Sequence, residues 1–236
     1  MTSRLMGLLS FYADRTRRPA ASTDIRDTPW GMEVAPAALR LMTPAFRNRA
    51  AAQPAAAFPA ADALWSTGVR EAQLLAAAVV GGLDSPYALE WVEGRVLTCW
   101  DSVVFADLAA RALAGIREAD PGLLRTRQAA WLAARSRPLH QLALATIQET
   151  VNDSRSSDMP QIFALLDGFP VPQTPKLQRA YEALLTTMAR RHPAETARFL
   201  LDALERPMAG MRRVLAAVAA AFPQPQRGQL EQALSG

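Results

Sequence analysis

Hydrophobic residues recur at spacings of three and four along almost the whole chain, and few of them are β-branched. Proline or glycine interrupts this pattern about every 15 to 25 residues, as expected when helices alternate with short turns. The pattern predicts an all-α protein with helices at 3–17, 36–52, 69–81, 86–97, 100–117, 121–135, 139–152, 159–167, 175–191, 194–205, 208–221 and 226–234.

Capping residues support several of these helix starts. Residues 84–86 (Asp-Ser-Pro) and 120–121 (Asp-Pro) each combine an N-cap side chain with a proline suited to a first helical turn. Glu195 supplies an acid to the first turn of the helix that follows His192. Asp101 stands at the start of the central helix, where we expect an N-cap with no need of a ligand role.

The succession of short helices predicts one domain built from stacked helix pairs. No 3.5-residue seam of a coiled coil is present, so the pairs are expected to form a HEAT-like repeat solenoid with a concave face. The polar segments 20–31 and 152–158 are predicted to be loops inside that domain. We expect a single domain over 1–236, with an N-terminal helix and loop at 1–35, repeats at 36–222 and a C-terminal helix at 223–236.

Composition excludes several classes of protein. Half of the residues are hydrophobic and a fifth are charged, which is neither a disordered nor a collagen-like composition. Uncharged apolar runs such as 72–83 are shorter than the ~20 residues that cross a bilayer, so no membrane segment is expected. Cys99 is the single cysteine, which predicts no disulfide, no metal site and a reducing, cytoplasmic location. No cofactor is expected, and we expect a monomer.

The charge pattern points to a partner rich in phosphate. Lys176 is the only lysine among 26 basic residues, and the formal net charge is +4. The segment from Gln173 to Arg213 contains eight basic and four acidic residues, so its excess of positive charge equals that of the whole chain. Such a local excess is typical of nucleic-acid binding, although a GC-rich coding sequence or a solvated helix face would also produce it.

Several sequence segments together resemble a known family. They are Trp30-Gly31 with Pro36 and Arg40, residues 64–71 (Leu-Trp-Ser-Thr-Gly-Val-Arg-Glu), Trp100-Asp101, Trp131, residues 178–180 (Gln-Arg-Ala), His192-Pro193 and residues 211–213 (Met-Arg-Arg). In their order and spacing they resemble the DNA-alkylation-repair proteins of the AlkD type, which are HEAT-like repeat DNA glycosylases. The resemblance runs from about Trp30 to Phe222.

The resemblance implies a substrate, a partner and a set of site residues. The family hydrolyses the N-glycosidic bond of cationic N3- and N7-alkylated purines in duplex DNA, using two tryptophan faces and a carboxylate. Trp100 stands at the place of the first tryptophan. The chain departs from the pattern at Val104 in place of the carboxylate, at Ala183 in place of the second tryptophan and at Gln141 in place of an arginine.

The resemblance leaves two catalytic candidates, Trp100 and Asp107. Asp107 lies one helical turn beyond Val104 on the same helix face and could supply a carboxylate. The candidate DNA contacts are Arg70, Arg135, Arg137, Arg179, Arg190, Arg191, Arg212 and Arg213. Most of these residues also have a purely structural alternative. Trp100 could be a core or groove-lining aromatic, Arg70 could make structural contacts at the start of its helix, and the other arginines could form solvated faces.

Three functions remain open at this point. The leading hypothesis is a duplex-DNA-binding member of the alkylation-repair family that lacks the usual carboxylate. The second is an active 3- and 7-alkylpurine DNA glycosylase that uses Trp100 and Asp107. The third is a helical-repeat scaffold that presents its concave face to another protein. Duplex binding separates the first two from the third, and release of alkylated bases separates the second from the first.

Overall fold

The computed structural model describes residues 36–153, 159–206 and 209–235, and within these ranges the chain is helical with no β-strand. The all-α prediction is therefore confirmed. The helices are α1 (Pro36–Ala52), α2 (Pro54–Trp65), α3 (Arg70–Val80), α4 (Tyr87–Val96), α5 (Ser102–Asp107), a π-helix (Leu108–Ala112), α6 (Ala114–Ala119), α7 (Pro121–Ala133), α8 (Arg137–Asn152), α9 (Met159–Asp167), α10 (Pro175–Arg191), α11 (Pro193–Leu204), α12 (Met211–Val218), a 3₁₀ turn (Ala219–Ala221) and α13 (Gln224–Ser235).

The chain divides into two compact units, Met1–Arg125 and Thr126–Gly236, and the boundary falls within α7. In the first unit α3 packs against α1, α2 and the π-helix. In the second unit α10 packs against α8, α11 and α12. Helices that pack mainly on their near neighbours in sequence are typical of helical-repeat folds. The expectation of one continuous domain with a concave face stays a prediction.

The sequence pattern locates most of the helices well. The bounds predicted for α1, α9 and α10 agree with the structure to the residue. The N-cap predicted at Asp120 is confirmed, because its Oδ1 accepts a hydrogen bond from the Leu123 N–H at 2.9 Å. The predicted helix at 3–17, the loop at 20–31, the loop residues 154–158 and the helix start at 208 lie outside the described residues.

The sequence pattern misses α2 because two prolines fall within it. Pro54 occupies the first turn, where a missing backbone N–H costs nothing, but Pro59 lies in the helix interior and removes an i to i−4 hydrogen bond. The helix forms nevertheless because Ala57, Ala61 and Leu64 are buried along one face. The stabilisation gained by burying that face outweighs the destabilisation caused by the interior proline.

The structure divides the predicted helix at 100–117 into α5, the π-helix and α6. Two glycines allow this segment to approach the turn after α3 backbone to backbone. A Cβ atom on Gly81 would lie 1.9 Å from the Arg111 carbonyl oxygen, and one on Gly115 would lie 2.0 Å from the Leu83 carbonyl oxygen. Only glycine fits at such distances, so the packing of the π-helix and α6 depends on these two residues.

The centre of the first unit is α3, in which every residue from Glu71 to Val80 except Leu74 is buried. Its N-terminal residue, Arg70, is partly exposed. Because α3 contacts four other elements, namely α1, α2, α5 and the π-helix, a side chain at its N-terminus is held on a rigid base. This base positions the candidate site described below.

Two helical glycines provide a matched test of this packing. We expect Gly115→Ala to lower the free energy of unfolding by about 1–3 kcal/mol, because the added methyl group would overlap the Leu83 carbonyl. Gly94 lies inside α4 with no neighbouring atom within 4 Å of the added methyl position, so Gly94→Ala should raise stability by about 0.5–1 kcal/mol. Denaturant unfolding measures both, and equal effects of the two substitutions would contradict the packing.

Candidate nucleic-acid interface

The side chain of Asp101 caps the N-terminus of α5. Its Oδ1 accepts hydrogen bonds from the backbone N–H groups of Val103 at 2.8 Å and Val104 at 3.2 Å. The N-cap role predicted from the sequence is therefore confirmed. Only 3% of this side chain is exposed, and a buried carboxylate needs further partners to replace its lost hydration.

Arg70 supplies the second partner of that carboxylate. Its Nε donates to Asp101 Oδ2 at 2.5 Å, which joins the N-terminus of α3 to the N-terminus of α5. The Arg70 side chain remains 41% exposed. The structural contact considered for Arg70 is thus present, and the DNA contact stays a prediction.

A second aspartate–arginine pair anchors the end of α4. Asp62 on α2 accepts a hydrogen bond from Trp91 Nε1 at 2.7 Å and pairs with Arg95. The Arg95 guanidinium also lies over the Trp91 ring, 4.6 Å from its centroid, and Trp65 meets that ring edge-on at 5.5 Å. Cation–π and edge-to-face contacts of this kind add to the ion pair, so the end of α4 is fixed to the end of α2.

Trp100 lies in the turn between these two anchored ends and is 72% exposed. Leu97 and Val103, three residues before and after it, are also among the exposed large hydrophobic side chains of the described chain. The alternative that Trp100 belongs to the core is therefore wrong. The turn from α4 to α5 instead presents an indole and two aliphatic side chains to solvent.

Helix α5 contains Val104 and Asp107, the two residues that the resemblance singles out as the replaced and the alternative carboxylate. Val104 is fully buried. Asp107 is 13% exposed and pairs with Arg111 at 3.1 Å from Nε to Oδ1. Burial raises the pKa of Asp107 to about 6, and the Arg111 charge opposes that rise. No hydrogen bond or ion pair in the described part of the chain connects Asp107 to Trp100.

The net positive charge of the protein resides in the second unit. Residues 1–125 contain 13 basic and 13 acidic side chains, whereas residues 126–236 contain 13 basic and 9 acidic ones. The formal charge of the first unit is therefore zero and that of the second is +4. A phosphate-rich partner would be attracted mainly to the second unit.

Helix α10 displays part of this charge as a stripe. Lys176, Arg179, Ala183 and Arg190 follow one another at helical spacings, and all four are exposed. The opposite face is buried and consists of Leu177, Tyr181, Leu184, Leu185, Met188 and Ala189. Ala183, which the resemblance aligns with a tryptophan, thus lies on the exposed basic face.

Helices α8 and α10 run side by side in the same direction. Gln148 donates from Nε2 to Thr187 Oγ1 at 3.2 Å, which joins two residues at similar distances from the helix starts. Nearer the N-termini, the Phe169 ring contacts both His140 of α8, at 5.2 Å between centroids, and Tyr181 of α10, at 6.2 Å. The N-termini of α8 and α10 therefore lie at the same end of the pair.

The end that these two N-termini share carries four basic residues, of which all but Lys176 are predicted DNA contacts. Arg137 is the first residue of α8, Arg135 precedes it, and Lys176 and Arg179 lie in the first turns of α10. All four are exposed, and neither helix has an acid in its first turn. Within the described residues Arg135, Arg137 and Arg179 form no ion pair. We call these four residues the basic end.

The remaining predicted arginines lie elsewhere in the second unit. Arg190 and Arg191 are exposed in the last turn of α10. Arg212 and Arg213 are exposed on α12, and Arg212 Nη1 donates to the Leu234 carbonyl oxygen at 3.2 Å. The charge excess of the segment and the resemblance to the family indicated these residues, but the sequence could not indicate that Arg135, Arg137 and Arg179 share one end of a helix pair.

The described residues contain neither a membrane-spanning helix nor a cluster of metal-ligating side chains. None of the described helices is long and apolar enough to cross a membrane. No three His, Cys, Asp or Glu side chains among the described residues are grouped so that they could hold a metal ion.

Comparison with known proteins identifies the family of the chain. A family model described as "DNA alkylation repair enzyme" matches residues 31–217, which is most of the chain. No curated protein and no solved structure matched. The matched range agrees with the one over which the sequence motifs resemble that family. The chain therefore belongs to the DNA alkylation repair enzyme family.

Proposed function

We propose that this protein binds duplex DNA in alkylation repair, with phosphates on the basic end and with Trp100 against a nucleotide. The observation that carries the proposal is the basic end itself. Three arginines that form no ion pair with any described residue lie near two helix N-termini, which add partial positive charge and free backbone N–H groups. Arginine forks and helix N-termini both match the geometry of phosphate oxygens.

Trp100 suits contact with a damaged nucleotide. An exposed indole held on a rigid turn offers a flat apolar face, and any nucleobase or cationic alkylated base can pack on such a face. Leu97 and Val103 extend the apolar surface on either side. Phosphate contacts place a protein on DNA without reading damage, so the aromatic contact would supply the preference for damaged sites.

The arrangement of α5 argues against efficient base release. Hydrolysis of an N-glycosidic bond gains from a fixed negative charge beside the developing oxocarbenium ion. The buried Val104 supplies none, and Arg111 offsets the charge of Asp107. Ala183 offers no second aromatic face. We therefore propose a DNA-binding protein in which the family's catalytic step is weak.

An active glycosylase is the second candidate, and one observation favours it. Asp107 is partly accessible, and its raised pKa of about 6 places it in the range useful for proton transfer near neutral pH. Activity that depended on Asp107 would mean that the catalytic carboxylate has moved one turn along the helix. A protein-binding scaffold, the third possibility, would bind duplex DNA weakly and without strong salt dependence.

The salt dependence of duplex binding tests the basic end. We expect the affinity for undamaged duplex to fall steeply with salt, with a log–log slope of about −0.9 for each phosphate contacted. Replacing Arg137 and Arg179 with alanine should make the slope less steep by about 1–2 units. Replacing Arg198 and Arg206 removes the same charge away from the basic end and should change the slope little. Arg206 pairs with Asp167, and Arg198 lies on α11 at helical spacings from Glu195 and Asp202. Equal changes of the salt slope in the two double variants would contradict the proposal that the basic end contacts phosphates.

Base release from methylated duplex DNA tests the catalytic proposal. Loss of a preorganised charge typically costs about 10²–10³ in rate, so we expect release of 3- and 7-methylpurines to be slight even at saturating protein. Asp107→Asn should leave the residual rate nearly unchanged. Rapid release by the natural protein, abolished by Asp107→Asn, would establish the active-enzyme alternative instead.

The titration of Asp107 has a consequence for stability. Because its folded-state pKa is raised from 3.8 to about 6, the folded chain binds more protons than the unfolded chain between those values. Its contribution to stability therefore falls as pH rises through this window. Asp107→Asn should gain about 1–2 kcal/mol relative to the natural protein between pH 4 and pH 7, after allowance for solvent screening. Urea unfolding at several pH values measures this difference, and a constant difference would contradict the burial of the carboxyl group.

A further inference from the structure

Two aspartate–arginine ion pairs hold the two ends of the turn that carries Trp100. Asp62 of α2 holds Arg95 of α4, and Arg70 of α3 holds Asp101 of α5. We infer that Arg70 is a positioning residue: through Asp101 it fixes the N-terminus of α5 and orients the Trp100 indole for its contact with damaged DNA. This inference rests on the proposed function and assigns a role within it that neither the motifs nor the family match supplies.

The two oxygens of Asp101 have separate tasks. Oδ1 caps α5 through Val103 and Val104, and Oδ2 accepts from Arg70. The cap fixes the carboxylate relative to α5, and α5 itself packs against α3 and the π-helix. The ion pair adds a polar link at the N-terminus of α5 to α3, the most buried helix of that unit. Since Trp100 directly precedes Asp101, the link also fixes the backbone that carries the indole.

Rigid presentation matters because the indole has little else to hold it. With 72% of its surface exposed, Trp100 has few packing contacts of its own. Ordering a free side chain upon binding typically lowers affinity by about 2- to 12-fold. A turn that is already fixed at both ends avoids that loss. The same turn would not affect phosphate contacts made by the second unit.

A direct phosphate contact by Arg70 makes a different prediction. Each phosphate contact contributes about 0.9 to the salt slope of duplex binding. A positioning residue contributes nothing to that slope and acts only on the preference for damaged sites. The two roles are therefore distinguished by the slope on undamaged duplex and by the affinity ratio between damaged and undamaged duplex.

The experiment uses the full chain with Arg70→Gln, Asp101→Asn and the double variant. Asp101→Asn keeps an oxygen that can cap α5 but removes the charge that Arg70 pairs with, so it tests the link even where Arg70→Gln folds poorly. Arg47→Gln is the control, since it breaks the surface pair between Arg47 and Glu118 in the same unit. Each is measured for affinity to an undamaged duplex and to the same duplex with one abasic-site analogue, over a range of salt.

We expect Arg70→Gln to reduce the preference for the abasic-site duplex about fivefold or more while the salt slope on undamaged duplex stays unchanged. Asp101→Asn should match it, and the double variant should be no worse than either single variant, because both act through one contact. Arg47→Gln should change neither quantity. A slope reduced by about 0.9 in Arg70→Gln, or additive effects in the double variant, would overturn the inference.

A second readout uses the free protein and does not depend on DNA. The fluorescence anisotropy of Trp100, obtained by difference from the same variant carrying Trp100→Phe, should fall in Arg70→Gln and Asp101→Asn because the indole gains motion. Unchanged anisotropy would overturn the positioning role. If anisotropy falls but no variant, nor the natural protein, binds duplex DNA, the positioning role stands and the proposed function fails.

Discussion

The buried carboxylate of Asp101 is the group on which the architecture of the first unit's surface depends. A charge with 3% exposure is stable only when its partners replace water, and here two backbone N–H groups and one guanidinium do so. Those partners belong to α3 and α5, two helices that also pack against each other. Satisfying one carboxylate therefore fixes the N-terminus of α5 against α3, next to the residue that carries the Trp100 indole.

The two units contribute different physical properties to the proposed function. The first is electrically neutral and presents an aromatic surface, whereas the second carries the entire net charge and displays it on exposed helical positions. Attraction to phosphate is long-ranged and independent of sequence, while packing on a base is short-ranged and depends on whether that base is unstacked. A protein that searches DNA for alkylation damage needs both properties.

The sequence predicted the local features of the structure and missed those that depend on tertiary contacts. Hydrophobic spacing located α10 to the residue, and the N-cap at Asp101 followed from a residue type at a helix start. The helix α2 was missed because Pro59 suggests a break that burial overrides. The pair between Arg70 and Asp101 could not be predicted, because its partners lie 31 residues apart and only the packing of α3 and α5 brings them together.

The candidate site shows the same division between local features, which the sequence predicted, and tertiary contacts, which it did not. Composition indicated a basic segment, but only the parallel course of α8 and α10 places Arg137 and Arg179 at the same end of the helix pair. The exposure of Trp100 was equally beyond the sequence, since tryptophan at a helix start is compatible with a core position. Resemblance to the family indicated which residues to examine, and their burial decided what each can do.

The most direct test of the central claim is tryptophan fluorescence during titration of the full chain with duplex DNA at low salt, for the natural protein and for Trp100→Phe. We predict that a duplex with an abasic-site analogue quenches the natural protein strongly, that quenching is reversed by added salt, and that Trp100→Phe still binds but shows little quenching. Absence of salt-dependent binding, or equal quenching in both proteins, would contradict the claim that the protein binds DNA and contacts a damaged nucleotide through Trp100.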